Sequence, residues 1–268
     1  QEKILDLLIQ QGFDINEYHT EKKTRFGELY DDVKHAAPIF VAIRSGNKKV
    51  VSWLLERGVD PNYTSDAQRR SPIGEALLFI DENPDFSIIS LLVFHGAELN
   101  TTKTTFGTPL TNNMYKKYYP NLADHLIELG ADIEFRDRDG RTPLLYAAKY
   151  GYYDAFEFLL SRGANLHAID SDERNVLHLA SQDNSLGTVK KLFEAGIDTK
   201  KLDKYGFSPL HLASLHTDNP LIIRYLAGTS IDINAKTKTE YRNPPLHLAL
   251  WNARYNSIAR ELIKLGAD

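Results

Sequence analysis

Between Arg141 and Asn165 the apolar and polar positions are spaced so as to predict two short helices and nothing longer. Thr142-Pro143 opens the first, because proline is tolerated in the first helical turn, where its missing N–H has no intrahelical partner anyway. Leu144, Ala147 and Ala148 follow at helical spacing and face inward, and the two alanines are small enough for a neighbouring helix to come close. Gly151 ends this helix in a tight turn. Phe156, Leu159 and Leu160 make the buried stripe of a second, antiparallel helix, and Gly163 stops it in the left-handed conformation that glycine adopts at little cost. The polar stretch around Asp170 to Glu173 then predicts a hairpin finger. One such helix pair cannot cover its own apolar face, so each depends on its neighbours, and stability is nearly a sum over units and nearest-neighbour contacts.

The same pattern recurs along the chain. A proline-centred tetrapeptide appears at Pro38 (AAPIF), Pro72 (RSPIG), Pro109 (GTPLT), Pro143 (RTPLL), Pro209 (FSPLH) and Pro245 (NPPLH), with Val176 in place of proline in RNVLH. Successive differences are 34, 37, 34, 33, 33 and 36 residues. A second marker, an apolar pair followed by glycine, a small or apolar residue and an acid or amide, closes the units: Leu54-Leu55 with Gly58-Val59-Asp60, Leu126-Ile127 with Gly130-Ala131-Asp132, Leu159-Leu160 with Gly163-Ala164-Asn165, and Leu262-Ile263 with Gly266-Ala267-Asp268. Two markers in fixed phase are hard to obtain by chance.

On these residues the chain resembles the ankyrin repeat family, whose period is about 33 residues and whose signature is T-P-L-H-x-A. The resemblance covers essentially the whole sequence. It implies an all-α solenoid of stacked helix-turn-helix units with β-hairpin or loop fingers. One domain is expected over 1–268, with a half-unit at 1–16 ending in Gly12-Phe13-Asp14-Ile15-Asn16, an insertion loop at 17–35, and seven units over 36–268.

Departures from the pattern locate irregularity. The connection carrying EKKTRFGELYDD is about a dozen residues longer than the family's and is expected to be an extended finger or mobile loop. The second unit has an insertion near Asp81 to Phe86; the third puts Asn113 where a small inward residue is usual and runs through Lys116-Lys117-Tyr118-Tyr119-Pro120. These two are expected to be the irregular, less stable part of the array. In the fifth unit Glu173 replaces the hairpin glycine, which predicts a distorted finger. The sequence begins inside a second helix and stops at a closing marker, and its last helix, SIARELIKLGAD, keeps the internal pattern; the expectation is a native polypeptide that continues at one or both ends.

Composition narrows the function classes. A 268-residue chain with 42% hydrophobic and 25% charged residues is in the soluble globular range. Thirty-two basic against 36 acidic residues, a net charge of −4, leave no basic field for a phosphate backbone. The clusters Lys48-Lys49 and Lys200-Lys201 with Lys204 are too short to be nucleic-acid stripes. There is no cysteine, so disulfides and thiolate metal sites are excluded and packing alone must hold the fold; a reducing compartment fits. No apolar run approaches about 18 residues, and the first residues are unlike a signal peptide.

Candidate chemistry is sparse. His178, His211 and His247 recur at matched places, but equivalent positions in stacked units lie roughly 8–10 Å apart, too far for nitrogens that must each sit about 2 Å from one zinc. By resemblance these histidines tie helix to hairpin. No P-loop, dinucleotide-binding, H-E-x-x-H or G-x-S-x-G string occurs. Asp137-Arg138-Asp139 and Asp170-Ser171-Asp172 fall where fingers are expected, where aspartate bonds its own backbone.

The resemblance implies a concave groove made by finger tips and the exposed side of the first helices. Its outward positions here are Arg44, Ser45, Arg138, Arg141, Lys149, Tyr150, Arg174, Gln182, Asp183, Tyr205, Phe207, Leu215, His216, Trp251 and Asn252. Tyr205, Phe207, Leu215 and Trp251 form an aromatic and aliphatic cluster of the kind that anchors interfaces. Arg138, Arg141, Lys149 and Tyr150 extend it as a partly basic stretch suited to acidic side chains, and His216 of the sixth unit is counted among the expected partner-binding residues. Trp53 and Phe158 read instead as second-helix packing, and Tyr115, Tyr118, Tyr119, Tyr152 and Tyr153 as a collar over the third unit. The reading is a scaffold that binds a protein partner, with no catalytic residues, no cofactor, no metal, no nucleic acid and no membrane insertion, monomeric and cytoplasmic. The alternative is the targeting or regulatory arm of a larger enzyme, channel or secreted bacterial effector, which would act in the host cytosol.

Overall fold

A computed structural model describes residues 37–64, 71–79, 85–102, 107–114, 118–183, 185–251 and 256–268. The expected half-unit and the 17–35 insertion lie outside the described residues. The contacts divide the chain into two compact bodies, Gln1–Asp132 and Ile133–Asp268.

In the first body the helices are α1 (Pro38–Arg44), α2 (Lys48–Glu56), α3 (Pro72–Leu78), α4 (Ser87–Phe94), α5 (Pro109–Asn112) and α6 (Pro120–Glu128). In the second they are α7 (Pro143–Lys149), α8 (Tyr153–Ser161), α9 (Val176–Ala180), α10 (Leu186–Glu194), α11 (Pro209–His216), α12 (Pro220–Ala227), α13 (Pro245–Trp251) and α14 (Asn256–Lys264). Each odd-numbered helix packs on the even-numbered one that follows it. Within a body the first helices form one row (α1 on α3 on α5; α7 on α9 on α11 on α13) and the second helices another (α2 on α4; α8 on α10 on α12 on α14). This is the stacked, all-α arrangement that the repeat demanded. An isolated antiparallel bridge joins Ile169 to Asn175.

The local reasons are those legible in the sequence. Thr142 caps α7 with its hydroxyl on the Leu145 N–H at 3.4 Å, and Pro143 sits in the first turn. Asn175 caps α9 through His178 N–H at 3.1 Å, which is why Val176 can stand where the other units have proline. Gly163, at φ 84°, closes α8: its N–H reaches Leu160 O at 3.0 Å while Ala164 N–H reaches back to Leu159 O at 3.0 Å. Leu144, Ala147, Ala148, Phe156 and Leu159 are all fully buried, and so is Trp53. Phe158 is half-buried under the Arg162 guanidinium, 5.2 Å from its ring.

The third unit is irregular as expected. Its first helix, α5, is one turn long, and Asn113 is buried, donating to Tyr119 O at 3.0 Å and accepting from Tyr119 N–H at 3.4 Å. A polar side chain here closes the loop that a longer helix would otherwise have replaced. From the second unit's insertion, Phe86 stacks on the His125 ring with centroids 5.3 Å apart, and Asp85 pairs with Lys48. Lys116, Lys117 and Tyr115 lie outside the described residues.

One brace had no place in the sequence reading. Asn62 donates its amide to Gly96 O (2.8 Å) and accepts from Glu98 N–H (2.8 Å), and Asn100 does the same to Gly130 O (3.3 Å) and Asp132 N–H (2.7 Å). In the second body Asn234 accepts from Asp268 N–H at 3.1 Å, and Glu134 accepts from Asn165 N–H at 2.7 Å. Each side chain reaches the same point one unit further on, the turn that closes the next second helix, so orphan groups at helix ends become inter-unit ties.

Three fingers in the second body share one geometry. Asp137 N–H donates to Arg141 O (2.9 Å), Asp170 to Arg174 (3.0 Å) and Asp203 to Phe207 (2.9 Å). The turn inside each needs a left-handed residue, supplied by Gly140 (φ 74°), Glu173 (φ 62°) and Gly206 (φ 81°). Against the expectation of distortion, the Glu173 finger keeps both its hydrogen bonds, with Glu173 N–H on Asp170 O at 3.0 Å; the departure is absorbed as backbone strain instead. Such strain costs about 1 kcal/mol in a non-glycine residue. Glu173→Gly is therefore expected to raise unfolding stability by about 1 kcal/mol, read as a higher urea midpoint; an unchanged or lower midpoint would contradict a strained turn. The fourth finger, Thr237 to Asn243, is longer by two residues and is closed by Thr237 N–H on Asn243 O at 3.2 Å, which accounts for two of the three residues by which the 36-residue spacing between Pro209 and Pro245 exceeds 33.

Candidate protein-interaction face

The site is built from the fingers upward. At the base of each finger an aspartate accepts two backbone N–H groups on one oxygen: Asp137 from Asp139 and Arg141, Asp170 from Asp172 and Arg174 (all 2.9 Å), and Asp203 from Tyr205 and Phe207 at 2.9 and 2.8 Å. All three are buried. The acidic runs are thus turn chemistry, as the sequence reading held. Successive fingers are joined through backbone: Ser171 N–H to Asp139 O and Lys204 N–H to Asp172 O at 3.0 Å each, and Lys238 N–H to Tyr205 O at 2.8 Å. Arg136 spans two fingers, with Nη1 on Gly140 O at 2.7 Å and Ile169 O at 2.5 Å.

The histidines fasten fingers to helices. His178 Nε2 donates to Phe207 O at 3.0 Å, at the end of the following unit's finger, and His211 Nε2 to Ala235 O at 2.9 Å, two residues before the next finger begins. Their Nδ1 atoms accept from the cap residues, Asn175 N–H at 3.3 Å and Ser208 N–H at 3.1 Å. Burial pushes the His178 imidazole down to about 4 and lowers His211 as well. His247 repeats the sequence but not the contact: it is exposed and has no side-chain partner among the described residues. The described residues contain no group of three or more histidines, aspartates or glutamates placed to hold a metal ion, and no described helix is long and apolar enough to cross a membrane.

The structure brings four of the anticipated contact residues of the second body together. Arg138, Arg141, Lys149 and Arg174 line a recess of about 240 Å³ with Asp139, Asp170, Ser171, Asp172 and Leu179. Arg141 is not a free cation: Nε holds Asp137 Oδ2 at 2.8 Å and Nη2 pairs with Asp139. Arg174 is likewise held, by Asp203 at 3.2 Å and Asp172 at 3.1 Å, and Asp172 also takes Lys204 at 2.6 Å. Arg138 is exposed and has no ion pair among the described residues; Lys149 lies 5.2 Å from the Tyr150 ring. Tyr150 is 42% exposed and packs on buried Tyr146, with centroids 4.6 Å apart, and on Tyr152 at 6.0 Å. Of the expected tyrosine collar, Tyr152 therefore belongs with Tyr146 and Tyr150, a cluster visible only once α7 is built.

Further along the face, Tyr205 is 45% exposed at a finger tip, with Lys204 Nζ 5.0 Å from its ring. Phe207 is only half-exposed, because its ring stands edge-on to His211 at 5.8 Å and its carbonyl takes His178. Leu215 is half-buried; His216, at the end of α11, is exposed as a residue but keeps its ring partly desolvated, and that desolvation first, then Arg174 and Lys149, lowers its imidazole. Trp251, 72% exposed, ends α13. Asn252 lies outside the described residues. In the first body Arg44 pairs with buried Glu75, and Ser45 Oγ donates to Ala42 O at 3.0 Å, so the first is a packing group and the second a helix cap. Sequence reasoning missed Ser171, Asp172 and Leu179 as recess-lining residues; the signal was their phase, since Asp139 and Asp172 are 33 residues apart at the same place in their fingers.

Comparison with known proteins agrees with this architecture. The family profile of ankyrin repeats (3 copies) matches residues 76–170 and again 177–268, and that of ankyrin repeats (many copies) matches 39–93. The ankyrin repeat protein FPV031 of fowlpox virus (strain NVSL) is 30% identical over 162 residues, 59% of this chain and 43% of that protein. The mouse B-cell lymphoma 3 protein homolog is 30% identical over 109 residues, 41% of this chain and 23% of that protein. The phosphocholine transferase AnkX of Legionella pneumophila is 28% identical over 109 residues, covering 11% of its length. The chain thus spans less than half the length of these relatives. Among solved structures the human ASB11 ankyrin repeat domain superposes with a TM-score of 0.64 at 22% identity, over 87% of this chain and 99% of that one. With profile matches over more than half of its length and the helix-pair stack in place, the chain belongs to the ankyrin repeat family.

Proposed function

We propose that this chain is a protein-interaction module that grips a partner protein with the fingers and first-helix ends of its second body. Tyr205, Phe207 and Trp251 act as apolar anchors, with Leu215 beside them. Arg138, Arg141, Lys149, Tyr150 and His216 are the polar surround. The observation that carries this reading is Tyr205: a large aromatic side chain, 45% exposed, on a finger whose backbone is bonded to the finger before it and the finger after it. A rigid exposed ring loses little conformational entropy when it is buried by a partner, which is what makes such residues hot spots. Nothing in the face is arranged for turnover, and the module works as a scaffold without a cofactor.

The test is calorimetry with a purified partner recovered by pull-down. Alanine at Tyr205, Phe207 and Trp251 together is expected to weaken binding by more than about 2 kcal/mol; an unchanged affinity rejects the face. A second reading is the targeting or regulatory arm of a larger enzyme or secreted effector. The match to a short stretch of a bacterial phosphocholine transferase supports it. In that case the binding face would serve to deliver a catalytic segment to the same partner in the host cytosol, and an activity requiring both segments would be lost in the triple variant.

A further inference from the structure

The recess between the fingers carries more chemistry than a general contact face requires. Arg141 and Arg174 are each clamped by two carboxylates, which immobilise the guanidinium and leave one Nη of each without a partner among the described residues. Donors fixed in advance lose little entropy on binding an anion. Arg138 and Lys149 add two positive charges with no carboxylate paired to them among the described residues. Leu179 is a buried apolar side chain in the lining, and Tyr150 stands beside Lys149, whose Nζ is 5.2 Å from its ring.

We propose that this recess is a socket for one carboxylate of the partner, an aspartate or glutamate side chain in an extended acidic peptide, with a neighbouring apolar residue of that peptide resting on Tyr150. The proposal rests on the protein-interaction reading and names the chemistry of the occupant. Size favours a side chain: about 240 Å³ is below the roughly 300 Å³ at which small-molecule pockets begin. Charge favours a monoanion, because Asp139, Asp170 and Asp172 line the same space and would repel a phosphate dianion.

The probe is a randomised peptide library displayed on phage and selected on the whole chain. Selected peptides are expected to carry an acidic residue, and changing it to Gln or Asn in the tightest peptide is expected to weaken binding at least tenfold. The double variant Arg138→Glu with Lys149→Glu should lose the peptide while melting like the parent, since neither residue is in an internal ion pair; Lys200→Glu, on an exposed loop, serves as the charge control. Phosphoserine in place of the acidic residue should bind less tightly. Peptides that bind equally well after the amide exchange, or better with phosphoserine, overturn the socket. If such peptides are still lost in the Tyr205, Phe207 and Trp251 triple variant, the interaction face stands without the socket. If no peptide is enriched, or binding survives every variant, both fall.

Discussion

Asp203→Ala is expected to destabilise the second body by about 4 kcal/mol, read by urea unfolding. Its carboxylate is fully buried and does three things at once. One oxygen accepts the N–H groups of Tyr205 and Phe207, and the other holds Arg174 of the preceding finger. Removing it leaves two N–H groups without their acceptor and takes from a half-buried guanidinium one of its two carboxylates; losing one partner of a buried charge pair costs about 3–5 kcal/mol. Asp203→Asn should cost less, about 1–2 kcal/mol, because the amide oxygen still accepts from the backbone and Arg174 keeps Asp172 as one of its two carboxylates. A loss below about 1 kcal/mol for the alanine variant would show that the finger does not depend on its aspartate. The same change loosens the loop that presents Tyr205, so partner binding should fall alongside stability.

The second large effect is on pH dependence. His178 is neutral in the folded protein, its imidazole pushed by burial to about 4 from an ordinary 6.5. Nε2 carries its proton to Phe207 O, while Nδ1 accepts from Asn175 N–H and lies 2.6 Å from Asn175 Oδ1, so it is the burial of the ring that disfavours the charged form. Between pH 6.5 and about 4 the unfolded chain binds a proton that the folded one refuses. The stabilisation is therefore complete above pH 6.5 and is lost on acidification through this window, at about 1.4 kcal/mol per pH unit, or about 3 kcal/mol in all. His211, lowered for the same reason, acts in the same direction. His178→Leu, the residue that Leu145 already places at this position in the fourth unit, should flatten the curve while losing the tie to Phe207. A wild-type stability that is level from pH 7 to pH 4.5 would refute a buried neutral histidine.

Much of the architecture was open to inspection in the chain itself, for a reason particular to repeats. Each unit solves the same local problem, so Thr142-Pro143, the alanine pair and Gly163 recur in phase and the helix pairs follow from short-range rules. The irregular third unit was visible because Asn113 breaks the pattern at a small inward position. The interaction face was less accessible. Arg141 and Arg138 look alike in sequence, yet one is clamped by two aspartates and the other has no ion pair among the described residues. Phe207 and Tyr205 both seemed outward, yet His211 covers one edge of Phe207.

Fold class and the structural role of the recurring aspartates and of His178 and His211 were decided by the sequence, because they depend on periodic burial and on hydrogen bonds within a few residues or one repeat; His247 has the sequence without the contact. Which cations are neutralised, which rings remain open and where the recess lies were decided only by the tertiary structure. Those properties arise between fingers about 33 residues apart, where a pairing such as Arg174 with Asp203 rather than Asp170 is chosen by the stacking offset of one unit on the next.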